Sequence, residues 1–209
     1  MPYKWLNHDP DLPDIICGQY IDRWTTKTRV EEYWYVHDIV EKLEPGLALD
    51  AATGYVEDWH VLPYILGEMG WDVETMDIDA RTLTMHPHPK VRRVLSDLIS
   101  LPYADNHFDL VTCISTLEHL PSENRIKACD ELDRVLKDGE RLILTADNYP
   151  GISPAGLAVL AGPNYNPLDI QLLQPREESN RFRNGKRVAA FSAFKEVLPS
   201  ALRTVDQPL

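Results

Sequence analysis

The chain has 209 residues, enough for one well-cored domain and too few for two of ordinary size. Hydrophobic residues at 44% and charged residues at 26% are the proportions of a globular protein, which excludes wholesale disorder, and no stretch approaches the ~18 apolar residues of a membrane span. With 33 acidic against 21 basic residues the net charge is −12, so nucleic acid and membrane are not expected partners.

Residues 1–26 are rich in Pro and Asp and read as an N-terminal arm, and Met1–Pro10 has no basic start followed by an apolar run, so no signal peptide is expected. Cys17, Cys113 and Cys129 form no CxxC pair, and the expectation is buried free thiols in a reducing cytoplasm. From Lys27 to Leu43 the pattern is helical, with Val30, Tyr33, Trp34, His37 and Val40 at three- and four-residue spacing and Pro45-Gly46 as the stop. Leu47–Ala51 reads as the first strand. Leu62–Met69 reads as a helix with Pro63 in its first turn and Gly70 beyond its end. Trp71–Met76 is a second strand, His86-Pro87-His88-Pro89 a turn, and Val91–Leu95 a third strand. Phe108–Ile114 is a near-continuous apolar run, the kind buried on both faces of a parallel sheet. Ser122–Leu136 is an amphipathic helix with the stripe Ile126, Cys129, Leu132 and Leu136, and Arg141–Ala146 is a fifth strand. Beyond Asp147, residues 148–167 hold four prolines and three glycines and read as an irregular excursion, and Arg187–Phe194 is the one strand candidate left.

Strands separated by helices or crossovers predict an α/β fold with a doubly wound, mostly parallel sheet. The expected organisation is a single domain over 1–209, with a ligand-binding core at 27–146 and an irregular C-terminal segment at 147–209, shortened and a candidate substrate region. Residues 1–170 carry a net −15 and residues 171–209 a net +3. The basic run Arg176, Arg181, Arg183, Lys186 and Arg187 reads as a solvated face, with an anionic substrate group as the alternative.

In such a sheet, ligands bind beyond the carboxyl ends of the strands, where strand order reverses. Acids stand at nearly every one of those ends: Asp50, Asp77, Asp79, Asp97 and Glu118. An acid that ends the second strand can accept both hydroxyl protons of a ribose, which fits Asp77. A dinucleotide would need G-x-G-x-x-G, but the loop here reads Gly54-Tyr55-Val56-Glu57-Asp58, whose carboxylates repel pyrophosphate. The pattern favours a cationic nucleoside without phosphate.

The stretch from Arg29 to Ala146 resembles the class I S-adenosylmethionine-dependent methyltransferases of the small-molecule type, including methyltransferase type 11. Asp50-Ala51-Ala52-Thr53-Gly54-Tyr55-Val56 is similar to their D-x-G-x-G-x-G loop, with only the middle glycine kept. Met76-Asp77-Ile78-Asp79 resembles the ribose segment. Asp97-Leu98, Leu101-Pro102-Tyr103 and Phe108-Asp109-Leu110-Val111 resemble the D-x-x-x-L-P-F…F-D-x-V stretch. Leu117-Glu118-His119-Leu120 is similar to L-x-H-L, and Glu131–Gly139 to E-x-x-R-V-L-K-P-G.

The resemblance implies a Rossmann-like methyltransferase fold, S-adenosyl-L-methionine as cofactor and a small-molecule acceptor, with oxygen methylation favoured. It implies that Asp50 lies near the methionine ammonium, that Ala52 and Gly54 belong to the cofactor loop, that Asp77 and Ile78 take the ribose, that Asp97 and Leu98 take the adenine, and that Ser115 lines the methionine end. His119 is the candidate general base, although methyl transfer needs chiefly an in-line approach. One of Tyr33, Trp34 and Tyr35 is a candidate cover for the ligand, and Arg29 a candidate for its carboxylate. No metal site is expected. The alternatives are a cofactor-binding module acting through a partner and an aminopropyl transferase-like enzyme, which would need Glu118 to hold an amine.

Overall fold

The computed structural model describes residues 28–54, 62–84, 88–148, 151–173 and 188–197. In chain order these form α1 (Thr28–Val40), β1 (Leu47–Ala51), α2 (Leu62–Glu68), β2 (Asp72–Asp77), a 3-10 turn at Ala80–Thr84, β3 (Val91–Leu95), β4 (Phe108–Ile114), a 3-10 turn at Leu117–His119, α3 (Ser122–Val135), β5 (Leu136–Asp147), α4 (Pro154–Ala161), β6 (Tyr165–Leu172) and β7 (Val188–Lys195). The N-terminal arm, Cys17, His86 and the basic run at 176–187 lie outside the described residues, as does the 55–61 loop.

Among the described residues one seven-stranded sheet runs β3-β2-β1-β4-β5-β7-β6. β1 to β5 are mutually parallel, and β7 is antiparallel to both of its neighbours. The chain goes outward from β1 to β3 and then crosses back to β4, so strand order reverses between β1 and β4. That reversal leaves a crevice at their carboxyl ends.

Each face of the sheet buries its own core. On one face Ala48, Val73, Leu110, Ile143 and Ala190 pack with Tyr33, Val36 and Val40 of α1 and Leu62, Ile65 and Leu66 of α2. On the other, Leu49, Met76, Val111, Leu144 and Phe191 pack with Cys129 and Leu132 of α3 and Leu157 of α4. A strand covered on both sides must be apolar at successive positions, as β4 is.

Two sequence-based expectations change. β5 starts at Leu136, where the expected helix ends. Leu136 continues the helical stripe of α3, but its backbone pairs with Phe108, and a register shift follows between Phe108 and Leu110. The segment after Asp147 is also less irregular than its prolines suggest. Pro154 opens α4, with the Ser153 hydroxyl accepting from Gly156 N–H at 3.1 Å. β6 then pairs antiparallel with β7, so two strands stand where one was expected. Pro167 hides β6, because proline argues against a strand everywhere but at a sheet edge or bulge, and β6 is the edge, with its register shift between Pro167 and Asp169.

Candidate functional site

The acids of the strand ends lie along the carboxyl edge of the parallel strands, and each is held differently. Asp50 is 3% exposed. It stands in register with Thr75 of β2 and Thr112 of β4. Both hydroxyls donate to it, Thr112 Oγ1 to Oδ1 at 3.0 Å and Thr75 Oγ1 to Oδ2 at 3.3 Å. A buried charge needs such donors, and these come from the two strands between which β1 lies.

Just past Asp50 the backbone turns sharply. Ala52 has φ 57° and Gly54 φ 75°, in the left-handed region. Thr53 N donates to Met76 O at 2.9 Å, and Ala52 N points at Met76 Sδ at 3.1 Å. Gly54 N donates to Asp77 Oδ2 at 2.7 Å, while Asp79 N donates to Asp77 Oδ1 at 2.8 Å. Asp77 is therefore the tie between the loop after β1 and the end of β2. It is 9% exposed, and each of its oxygens keeps a lone pair beyond its backbone donor. Ile78 beside it is 71% exposed, a large apolar side chain left uncovered at the crevice.

Along β3 the chain continues to Asp97, which is exposed and accepts from Ile99 N at 3.2 Å, while Leu98 is buried in the core with Leu101 and Phe108. Leu98 can therefore offer a ligand its backbone and not its side chain. At the end of β4, Ser115 has φ 43°, an uncommon backbone for a residue with a Cβ, and strain of this kind gathers at functional sites. Its N–H donates to both Thr145 O and Thr145 Oγ1 at 3.1 Å. Thr116 Oγ1 reaches back to Ala52 O at 3.4 Å, bridging the two sides of the crevice.

Glu32 of α1 is missing from the sequence reading. It is fully buried, and its Oε1 accepts from the Ser115 hydroxyl and from Thr145 Oγ1, the latter at 2.5 Å. It lies on the buried stripe with Val36 and Val40, at helical spacing, and an acid on an apolar stripe is the signal that could have found it. Thr75, Thr112 and Thr145 were likewise absent from the reading.

Other candidates stand apart from the crevice or face inward. His119 is exposed in the 3-10 turn, its N–H bonded to Thr116 O at 3.0 Å. Glu118 accepts from Asp147 N at 2.8 Å through Oε1, and its Oε2 is buried with no hydrogen-bond partner among the described residues. The carboxyl is thus tied to the end of β5 through one oxygen. Tyr33 and Tyr35 are core residues, and Trp34 stacks edge-on to His37 at 5.3 Å. Burial pushes the Cys129 thiol up to about 12 and that of Cys113 well above its ordinary value, so neither is a nucleophile. His88 Nε2 lies 3.1 Å from Glu68 Oε1. Among the described residues no three His, Cys, Asp or Glu side chains gather as a metal site, and no helix is long and apolar enough to cross a membrane.

Two of the motif acids serve the frame. Glu131 and Arg134 form a two-toothed pair, Nε to Oε1 at 2.7 Å and NH2 to Oε2 at 2.8 Å. Arg134 also donates to Tyr103 O at 2.7 Å, Leu101 O at 3.1 Å and Asp105 Oδ1 at 2.9 Å, and Leu101 N donates to Glu131 Oε2 at 2.6 Å. The pair clamps the loop that follows Asp97. Asp109 accepts from Leu47 N at 2.9 Å and Lys137 Nζ at 2.6 Å, at the end of the sheet away from the crevice.

Comparison with known proteins agrees with this geometry. A family model described as a methyltransferase domain matches residues 49–144. Demethylmenaquinone methyltransferase of Renibacterium salmoninarum is 30% identical over 121 residues, 57% of this chain and 48% of that protein. An uncharacterised protein of Methanocaldococcus jannaschii is 42% identical over 59 residues, 28% of this chain and 25% of its own. The chain thus matches about half of the first relative's length and a quarter of the second's. Among solved structures, the N-methyltransferase NodS of Bradyrhizobium japonicum WM9, in complex with S-adenosyl-L-homocysteine, superposes with a TM-score of 0.63 at 11% identity, over 92% of this chain and 97% of that one. The [4+2]-cyclase SpnF superposes with a TM-score of 0.60 at 18% identity, over 84% and 85%. At these identities the structures share the fold.

Proposed function

We propose that this chain is a class I S-adenosylmethionine-dependent methyltransferase, that its crevice binds S-adenosyl-L-methionine and that the protein transfers the cofactor's methyl group to a small-molecule acceptor, with oxygen as the favoured acceptor atom. The observation that carries the reading is the Asp77 carboxylate, anchored by Gly54 N–H and Asp79 N–H at the edge of the β1–β4 crevice with lone pairs left for two ribose hydroxyls.

The residues present fit this cofactor. It carries a sulfonium and an ammonium, and the crevice is lined by Asp77 and underlain by Asp50 and Glu32. Exposed Ile78 offers an apolar surface for the nucleoside base beside the ribose acid. Asp97, exposed past the end of β3, is the acceptor this reading assigns to the base's amino group, with the Leu98 backbone alongside. Ala52 and Gly54, with their left-handed turn, bring main chain close to the ligand. Ser115 faces the methionine end.

When bound, the cofactor supplies an electrophilic methyl group on a positively charged sulfur. The protein's share is orientation. The Gly54–Asp77 tie fixes the ribose, and the Thr112–Asp50–Thr75 chain fixes the loop root. In-line approach of the acceptor then follows from placement and needs no proton-transfer group.

Isothermal titration calorimetry with S-adenosylhomocysteine and S-adenosylmethionine tests the reading. Micromolar binding of both is expected, followed by transfer of labelled methyl to a pooled metabolite fraction. Absence of binding at millimolar ligand would overturn it.

A further inference from the structure

Arg125, in the first turn of α3, holds the loop that leaves β4. Its Nε–H donates to Leu120 O at 2.9 Å, and its NH2 group donates to Glu118 O at 3.1 Å. These two carbonyls belong to the residues on either side of His119, which is exposed in the same loop. The Glu118 side chain in turn accepts from Asp147 N at 2.8 Å, so the loop, α3 and the end of β5 are joined at one place. That place lies past the carboxyl ends of β4 and β5, on one side of the strand-order reversal.

The partners of Arg125 are unusual for this chain, which carries 33 acidic residues against 21 basic ones. Arg81, Lys90, Arg92, Arg134, Lys137 and Lys195 each meet a carboxylate. Arg93 and Arg141 meet none, but both keep guanidinium nitrogens buried in the protein. Arg125 is partly exposed and, among the described residues, meets two carbonyls and no carboxylate. Two carbonyls occupy two of the five N–H groups of a guanidinium and leave its charge without a counter-ion. The remaining donors are held in place by the two bonds already made, so an anion that joins them orders little more side chain. Bracing a loop by its carbonyls needs donors and no charge.

With the nucleoside on the side of Asp77, Ile78 and Asp97, at β2 and β3, the side of β4 and β5 is left to the acceptor. We propose that Arg125 is a specificity-determining residue that selects an acceptor bearing a carboxylate or phosphate group, with His119 next to it in the loop as a further N–H donor. This rests on the proposed function above. The anionic group is a handle, and the oxygen that receives the methyl lies elsewhere on the acceptor, so neither residue takes part in making or breaking a bond.

The test uses the full chain, labelled S-adenosylmethionine and a pooled metabolite extract split on an anion exchanger before the reaction. Label is expected in the retained, anionic half, and mass spectrometry of the product tells carboxylate from phosphate. The acceptor so found is then compared with its uncharged ester. Wild type is expected to prefer the anion about tenfold or more in kcat/KM, the scale of a hydrogen bond to a charged group. Arg125→Gln keeps a donor for the loop and removes the charge, and is expected to abolish that preference while the Kd of S-adenosylhomocysteine stays at the wild-type value. A bracing role alone would slow both acceptors alike, and an unmoved ratio in Arg125→Gln overturns the proposal. If Arg125→Gln does not fold, Arg125→Lys decides: a severalfold loss for the anion with the ester unaffected supports the proposal, and an equal loss for both overturns it. Label in the unretained half alone, or in neither half, also overturns it, while binding of S-adenosylhomocysteine leaves the cofactor reading intact. Failure of the cofactor to bind overturns the two together.

Discussion

Gly54 N–H and Asp77 Oδ2 lie 2.7 Å apart, so the acid that ends β2 is held by the loop that ends β1. Asp77 therefore serves the frame of the crevice as well as its ligand. Asp77→Ala should weaken S-adenosylhomocysteine binding by ~1.5–3 kcal/mol, the scale of hydrogen bonds to a charged group. It should also cost the fold about 1 kcal/mol, because two backbone N–H groups lose their acceptor. Calorimetry and thermal melting read the two effects separately, and an unaltered Kd would remove Asp77 from the site.

Ala52 occupies a left-handed backbone that favours glycine. Elsewhere Ala→Gly costs ~0.5–1 kcal/mol, but the left-handed conformation costs an L-residue ~1–2 kcal/mol. Ala52→Gly should accordingly leave stability unchanged or raise it by up to about 1 kcal/mol, whereas Ala52→Val should lose more than about 1 kcal/mol. Urea denaturation midpoints separate them. A loss in Ala52→Gly as large as in Ala52→Val would show that the turn carries no strain.

Thr112 donates to the buried Asp50 carboxylate. Thr112→Val keeps the shape and removes the donor, and should cost ~1–3 kcal/mol, as for any buried acceptor left short of a partner. Thr75→Val should cost less, since its bond at 3.3 Å is the longer of the two. Equal midpoints for both variants and wild type in urea would mean that Asp50 needs neither hydroxyl.

Arg134 holds the Glu131 carboxyl below its ordinary value, with the Leu101 amide adding to the effect. A carboxyl depressed by folding stabilises the fold fully above its unfolded pKa of 4.5, and that contribution is lost as pH falls through the lower folded value. Glu131→Gln should cost about 1 kcal/mol at pH 7, after solvent screening of this partly exposed pair. The gap to wild type should close progressively as the pH is lowered beneath 4.5. A gap that persists to the lowest pH at which both remain folded would assign the loss to packing.

Cys113 and Cys129 are buried and their thiols are pushed far above neutral pH. Neither should react with iodoacetamide at pH 8 in the native protein, and both should react on unfolding. Mass mapping of the labelled peptides reads this directly, and native labelling of either one would place it nearer the surface than its packing against Leu132 and Leu144 allows.

Much of this architecture is written locally. β1 and β4 are largely apolar runs with clear ends, so the acids at those ends could be placed along the carboxyl edge of the sheet before any geometry. What escaped was written at a distance. Leu136 continues the apolar spacing of α3, and its pairing with Phe108 decides that it belongs to a strand. Pro167 argues against β6 until Val188–Lys195 is known to lie beside it. Glu32 carries no sequence signal beyond its place on an apolar stripe, and its partners Ser115 and Thr145 lie 83 and 113 positions away. Glu131 and Arg134 stood out as a motif but gave no hint of their task, since the loop they clamp is 30 residues upstream.

The two outer margins of the described sheet, β3 and β6, are each poor templates for a further strand. An open sheet offers a row of backbone groups at each side, onto which another molecule's strand could add. On one side, β6 presents Pro167, which has no N–H to give, and a register break immediately after it. On the other, β3 presents Arg92, two-thirds exposed and tied to Glu74 at 2.9 Å, so that an incoming strand meets a fixed guanidinium. Both margins thus carry features that hinder strand addition, and they lie apart from the carboxyl ends of the central strands.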